Sequence, residues 1–202
     1  MWGTFPTCHI AKPLHDDRVR STGASRATAI GFELPMPNTL ETCSIALKEW
    51  AVVCRALATG VQTVLIRKGG ISEPGGAFRC EHEAFWLYPT RFHQGADALT
   101  PAGAAILNGL SVPAEPGLVP ISLFARVQSV QRITDPDQLA PYLDRQILST
   151  ATVLQRFHYK RPELYVIEVT CSVTRAPFTI HETAAMAGCH SWVNLPAGHP
   201  VP

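Results

Sequence analysis

Leu118-Val119-Pro120-Ile121-Ser122-Leu123-Phe124-Ala125-Arg126-Val127 is the stretch on which the fold reading turns, because Val119, Ile121, Leu123, Ala125 and Val127 recur at every second position. Side chains on a strand point alternately to opposite faces, so this period predicts a long strand with those five residues on one side. C-terminal to it, Asp135-Pro136 supplies an N-cap with proline at the first helical position. Leu139, Leu143, Ile147, Val153 and Leu154 then approximate a helical stripe, which predicts one main helix to about Phe157. Leu164 to Val173 reads as a further strand, and Trp192 to Leu195 as a last short one.

On the N-terminal side, Asn38 followed three residues later by Glu41 has the spacing of a capping box and predicts a short helix through about Lys48. Ala51 to Leu57 and Val61 to Arg67 are apolar and rich in β-branched residues, and they flank Ala58-Thr59-Gly60. The glycine supplies the positive φ of a tight connection, so a β-hairpin is predicted. Lys68-Gly69-Gly70 and Gly75-Gly76 bracket a loop, after which Phe78 to Cys80 and Phe85 to Tyr88 read as short strands. Residues 95 to 117 are rich in Gly, Ala and Pro, with a weak helical stretch from Ala102 to Leu110. No internal repeat is visible.

Strands interleaved with helices but lacking regular βαβ alternation predict an α+β fold: a single domain over 36–196, with a mostly antiparallel and potentially barrel-like sheet, one long helix and short helices. Residues 1–35 mix Pro, Ser, Thr, Arg and Gly without any period, and are expected to be a disordered extension; residues 197–202 are expected to fray.

Apolar residues make up 46% of the 202 and charged ones only 16%, so the fold leans on burial. A net charge of +1 creates no global field toward nucleic acid or an anionic bilayer, and any such contact must be local. Met1 to Pro6 lacks the basic start and apolar run of an export signal, and no stretch approaches the roughly 20 apolar residues of a membrane span. The expected location is therefore cytoplasmic, with no membrane partner, and the six scattered cysteines are read as reduced thiols.

Three clusters carry chemistry. Arg67-Lys68-Gly69 ends a strand with two cations and a bare backbone able to approach a phosphate or carboxylate, although an ordinary solvated turn looks the same. In Glu81-His82-Glu83-Ala84-Phe85-Trp86-Leu87-Tyr88-Pro89-Thr90-Arg91-Phe92-His93-Gln94, aromatics alternate with histidines, carboxylates and an arginine. That density suits a lined cleft, the alternative being that the rings are core and the histidines cap loops. Gly188-Cys189-His190-Ser191-Trp192 holds a thiol beside an imidazole, but adjacent residues on an extended chain face opposite ways and cannot form a dyad. Zinc ligation by Cys80, His82, His93, Cys189 and His190 matches none of the usual paired spacings, so no metal and no cofactor are expected.

Ala46 to Val53, Leu65 to Ile71, Phe85 to Thr90 with His93-Gln94, Arg156 to Lys160 and Gly188 to Val193 are similar, in order, to the blocks of the bacterial domain of unknown function 1802 family. The resemblance covers about residues 40 to 196 and implies no activity. A weaker similarity links the chain to the ASCH branch of PUA-like barrels, whose Gly-x-Lys-Thr-x-Glu-x-Arg segment is tied to RNA binding or base modification. Gly60, Thr63 and Arg67 match it, whereas Gln62 and Leu65 replace its lysine and glutamate.

The leading expectation is a cleft that binds RNA, DNA or a nucleotide-like anion. Arg67, Lys68 and Gly69 would meet phosphate, Trp86 and Tyr88 would stack, and Arg91, His93, Gln94, Lys160, Ser191 and Trp192 would complete the rim. The rival is a hydrolase or nuclease using Glu81, His82, Glu83 and His93, and the third reading is a structural or partner-binding domain. Nothing in the sequence sets the oligomeric state.

Overall fold

The computed structural model describes residues 42–68, 79–91, 94–111, 115–188 and 190–202. The predicted cap at Asn38 and Glu41, the extension over 1–35, Gly69, Gly70, Gly75, Gly76, Phe78, His93 and Cys189 lie outside them. The elements are β1 (Thr42–Trp50), α1 (Ala51–Ala58), β2 (Val64–Arg67), β3 (Ala84–Thr90), α2 (Pro101–Asn108), β4 (Leu118–Ile133), α3 (Thr150–His158), β5 (Leu164–His181) and β6 (Trp192–Pro200). The six strands make one sheet in the order β2-β5-β4-β3-β1-β6. Only β1 and β3 run parallel; every other neighbouring pair is antiparallel. The α+β reading with a mostly antiparallel sheet holds. The sheet is open, with β2 and β6 at its edges, so the barrel-like variant is corrected.

The β4–β5 ladder runs from Leu118 opposite His181 to Ile133 opposite Leu164, with irregularities between Ile121 and Leu123 and between Val127 and Ser129. At the first irregularity β4 advances two residues while β5 advances five, from Phe178 to Val173, and the side chains of β4 change face across this break in register. Val119, Ile121 and Phe124 therefore enter one core cluster, with Trp86, Tyr88, Ile180 and Val193. Leu123 and Ala125 enter the other, with Leu47, Leu65, Phe85, Phe157 and Ile167, and Val127 packs against it. The five residues predicted to share one face are thus divided between two.

The first two predicted elements are exchanged. Thr42 to Lys48 is strand, because Ala46 and Leu47, both 0% exposed, point into different clusters. A strand buried on both sides shows no alternation and its residues read equally well as helix. Ala51–Ala58, predicted as a hairpin strand, is a helix in which Ala51, Val52, Val53, Cys54, Ala56 and Leu57 are buried. Burial on nearly every face outweighs the small helix penalty of valine. Gly60 does take a positive φ, 73°, but it ends α1 instead of turning a hairpin.

The predicted main helix is interrupted. Asp135 accepts a hydrogen bond from the Asp137 amide at 3.0 Å and opens a 3-10 segment, Pro136–Arg145, that contains Pro141. Proline lacks the amide that an α-helical turn needs there. The chain then passes through buried Gln146, Ile147 and Leu148 before Ser149 caps α3 by accepting from the Thr152 amide at 3.2 Å. At the other end, β6 continues to Pro200, paired with Thr42, where the sequence reading ended the fold at 196.

Gly103 in α2 tests this packing. A Cβ there would stand 2.7 Å from the Ile147 carbonyl oxygen and 3.1 Å from Leu99 Cβ. Alanine improves helix propensity by about 1 kcal/mol, whereas forced overpacking costs about 1–3 kcal/mol. Gly103→Ala is therefore expected to lower the urea midpoint, and a raised midpoint would contradict the close approach of α2 to residue 147.

The curl of the sheet positions the site. Arg67 ends edge strand β2, yet its Nη1 donates to the Lys48 carbonyl at 3.0 Å and its Nη2 to Ser191 Oγ at 2.8 Å. Lys48 lies on β1 and Ser191 immediately precedes β6, so side-chain bonds from one edge reach the other end of the sheet. Accumulated strand twist brings them together without a ladder.

Candidate functional site

At this juncture lies a cleft of 1380 Å³. Its lining carries six cations, Lys48, Arg55, Arg67, Lys68, Arg91 and Arg156, against three carboxylates, Glu49, Glu115 and Glu182. On a chain whose net charge is +1, this is a local concentration of positive charge.

Glu49 is the buried centre of the cleft, its side chain 6% exposed. Its Oε2 accepts from Arg67 Nη1 at 2.9 Å and its Oε1 from the Trp50 amide at 2.8 Å. A second guanidinium, Arg156 from α3, lies over the Trp50 ring with its Cζ 4.6 Å from the centroid. Burial lowers the Arg156 pKa, Glu49 draws it back up and Arg67 adds to the lowering. Arg67 and Glu49 neutralise each other, so the group of three carries one net positive charge in a partly dehydrated place. An arriving anion would repay part of that dehydration.

Two lysines are held by backbone. Lys48 Nζ donates to the carbonyls of Met186 and Gly188, the latter at 3.2 Å, and lies 5.7 Å from the Tyr88 ring centroid. Lys68 Nζ donates to the carbonyls of Phe157 at 2.9 Å and Glu163 at 2.8 Å, and to that of Arg161. Its pKa is lowered chiefly by burial. Lys68 is thus a cap for the end of α3 and not a free phosphate hand.

The Tyr88 hydroxyl donates to Glu182 Oε1 at 2.9 Å. Burial first, then this bond and the Glu182 charge, raise the phenol well above its ordinary 10.0. Because the folded state keeps the proton that the unfolded chain loses near pH 10, stability is full below that value and falls as pH rises through it. Melting temperature measured from pH 8 to 11 is expected to drop less steeply for Tyr88→Phe than for the native protein; parallel curves would remove Tyr88 as a cause.

Of the residues singled out from sequence, Arg67, Lys68, Tyr88, Arg91 and Ser191 line the cleft. Arg91 donates to the Ser111 carbonyl. Trp86 is 0% exposed, its Nε1 donating to the Cys43 carbonyl at 3.1 Å, so it offers no stacking surface. Tyr88, 1% exposed, presents its hydroxyl and not an open face. Trp192 donates to the Arg79 carbonyl at 3.0 Å and meets the rings of His82 and Phe85 edge-on at 4.9 and 5.0 Å. Gln94 accepts from the Val52 amide at 3.2 Å, pinning the start of α1. Lys160 is exposed beside Tyr159. Gly69 and His93 lie outside the described residues.

Of the carboxylate and imidazole set of the enzyme reading, the described members Glu81, His82 and Glu83 are absent from the lining of the cleft. No group of three or more metal-ligating side chains occurs among the described residues. Cys54 lines the cleft, but burial drives its thiol pKa well up, which suits a packing sulfur and not a thiolate.

Sequence reasoning missed Glu49, Arg156 and Tyr159 as site residues. Glu49 and Arg67 are 18 residues apart, and no local spacing joins them. The usable signal was that Lys48-Glu49-Trp50 and Arg156 to Lys160 already stood among the blocks that carry the family resemblance.

Fold and cleft together define an α+β domain with an open, curled mixed sheet and a cation-lined groove where its ends approach. The chain belongs to the family described as Domain of unknown function (DUF1802), matched over residues 46–201. A point variant of the ASCH protein from Zymomonas mobilis is similar in structure at 14% identity and a TM-score of 0.45, over 75% of this chain and 88% of that one. A second variant is 15% identical with a TM-score of 0.39, over 66% of this chain and 69% of its own. The ASCH name is the one suggested by Gly60, Thr63 and Arg67. Where that motif places lysine and glutamate, Gln62 bonds to the Val64 carbonyl at 2.7 Å and the Ile147 amide at 3.2 Å, and Leu65 is 0% exposed. No curated protein matches the chain. No helix among the described residues is long and apolar enough to cross a membrane.

Proposed function

We propose that the cleft binds a nucleic acid or nucleotide-like anion. The observation that carries this reading is the surplus of six cations over three carboxylates, centred on the Arg67–Glu49–Arg156 group. Guanidinium groups suit phosphate because their donors form a planar fork, and partial dehydration strengthens the attraction. Arg67 and Lys68 act mainly as structural supports in this reading, while Arg156, Arg55 and Arg91 meet the anion.

Retention on single-stranded RNA and DNA over a range of salt tests it. Each neutralised phosphate contributes about −0.7 to the log–log salt slope for a single strand, so three contacts predict about −2.1. The paired substitutions Arg55→Ala and Arg91→Ala are expected to flatten that slope. A native protein retained no better than a control of equal net charge would end the proposal.

A further inference from the structure

We propose that the C-terminal turn of α3 is a subsite for single-stranded nucleic acid, with one base stacked on Tyr159 and the neighbouring phosphates on Arg156 and Lys160. The inference rests on the anion-binding reading of the cleft and names the form of ligand that the cleft takes.

Tyr159 is 54% exposed and lines the cleft. Among the described Phe, Tyr and Trp side chains it alone counts as exposed; the rest are buried or half-buried. A ring placed this way adds little to the core, and its open face is what a sequence-tolerant stacking platform provides. Arg156 precedes it by three residues and lines the same cleft. Positions three apart near a helix end are neighbours, with Cβ atoms on the order of 5–6 Å apart. A nucleotide's phosphate and its own base are separated on a similar scale, so one residue pair can hold one nucleotide.

Lys160 adds an independent observation. Its φ is 58°, the one positive value found among the described non-glycine residues. A lysine held in the left-handed region carries strain that glycine would relieve, and such strain persists where a side chain is required. The turn brings its ammonium over one face of the Tyr159 ring, 5.3 Å from the centroid, so the stacked base takes the opposite face.

A helix C-terminus ordinarily repels anions because its carbonyls carry the negative end of the helix dipole. Here Lys68 donates to the carbonyls of Phe157 and Glu163, and to that of Arg161, placing a positive charge on the repelling end. The Glu163 carboxylate is taken up by Arg132, whose Nε and Nη2 reach its Oε2 at 2.9 and 2.5 Å. The local sources of repulsion are therefore offset. A strand whose bases are already paired and stacked cannot lay one on Tyr159, which selects single strands over duplex.

Fluorescence anisotropy with the full chain and labelled ten-nucleotide oligo-U, oligo-dT and a ten-base-pair duplex tests the subsite. The single strands are expected to bind at least about tenfold more tightly than the duplex. Loss of one stacked base corresponds to about 5- to 150-fold, the expected weakening for Tyr159→Ala, while Tyr159→Phe keeps native affinity. Lys160→Gly is expected to raise the melting temperature and yet weaken binding and reduce the salt slope by about 0.7, a combination that a purely structural role would not produce. Native affinity in Tyr159→Ala, equal binding of duplex, or equal competition by poly-glutamate would each overturn the subsite. If the native protein binds oligonucleotides but is indifferent to Tyr159, only this inference falls; if it binds neither oligonucleotide nor mononucleotide, the reading of the cleft falls with it.

Discussion

Arg67→Ala is expected to lower the unfolding free energy by about 3–5 kcal/mol, because it leaves a buried carboxylate without its partner. Glu49 is 6% exposed and Arg67 15%, and the Trp50 amide is the other hydrogen-bond donor seen on the carboxylate. The substitution also removes the bonds from β2 to the Lys48 carbonyl and to Ser191 Oγ, through which the edge of the sheet reaches its opposite end. Arg156, which also senses the Glu49 charge, would moderate the loss and hold it near the lower figure. Urea denaturation checks the magnitude, and the Glu49→Gln background separates its causes. If the stranded charge dominates, Arg67→Ala should cost far less there than in the native sequence. Equal costs in both backgrounds would mean that the carboxylate is hydrated and the stitch alone matters.

Trp86→Ala should have an effect of the same size, about 3–5 kcal/mol, typical of a large ring removed from a packed core. Trp86 is fully buried, and its ring meets Phe124 and Phe178 edge-on, each at 5.0 Å. Its indole N–H is committed to the Cys43 carbonyl. Domains of this kind are stable by about 5–15 kcal/mol, so the variant would keep only part of its margin. Chemical denaturation measures the loss, and oligonucleotide affinity measured under conditions where the variant stays folded should match the native value. A variant of native stability that no longer binds would restore Trp86 to the stacking role its neighbours in sequence suggest.

These two residues show why the site was only partly legible in the chain. The segment from Glu81 to Gln94 announces itself by density of rings and charges, yet Phe85, Trp86 and Leu87 are interior residues of a strand covered on both faces. Composition cannot distinguish a ring that lines a groove from one that fills a core, because both are built from the same side chains. Tyr159, the ring left open, lies in Arg156-Phe157-His158-Tyr159-Lys160-Arg161, a run as dense in rings and cations, and composition does not say which of its side chains stays open.

Some elements were readable: β3 and α2 stand close to where the run of apolar residues and the helical stretch put them, and β4 is a long strand as its alternation requires. β1 and α1 were not, since burial on nearly all sides erases the period that tells helix from strand. The irregularities of the β4–β5 ladder were equally silent, because a break in register changes which face the later side chains take without changing what they are.

By itself the sequence determined the α+β class, the dominance of antiparallel pairing and the presence of cations and rings in the segments that form the site. All of these follow from local period and residue type. Tertiary structure alone decided that Arg67 meets Glu49, that Arg156 and Tyr159 share their cleft, and that Trp86 does not. Those outcomes depend on the curl of a sheet whose ends are far apart in the chain, and twist summed over six strands is a property that no single segment carries.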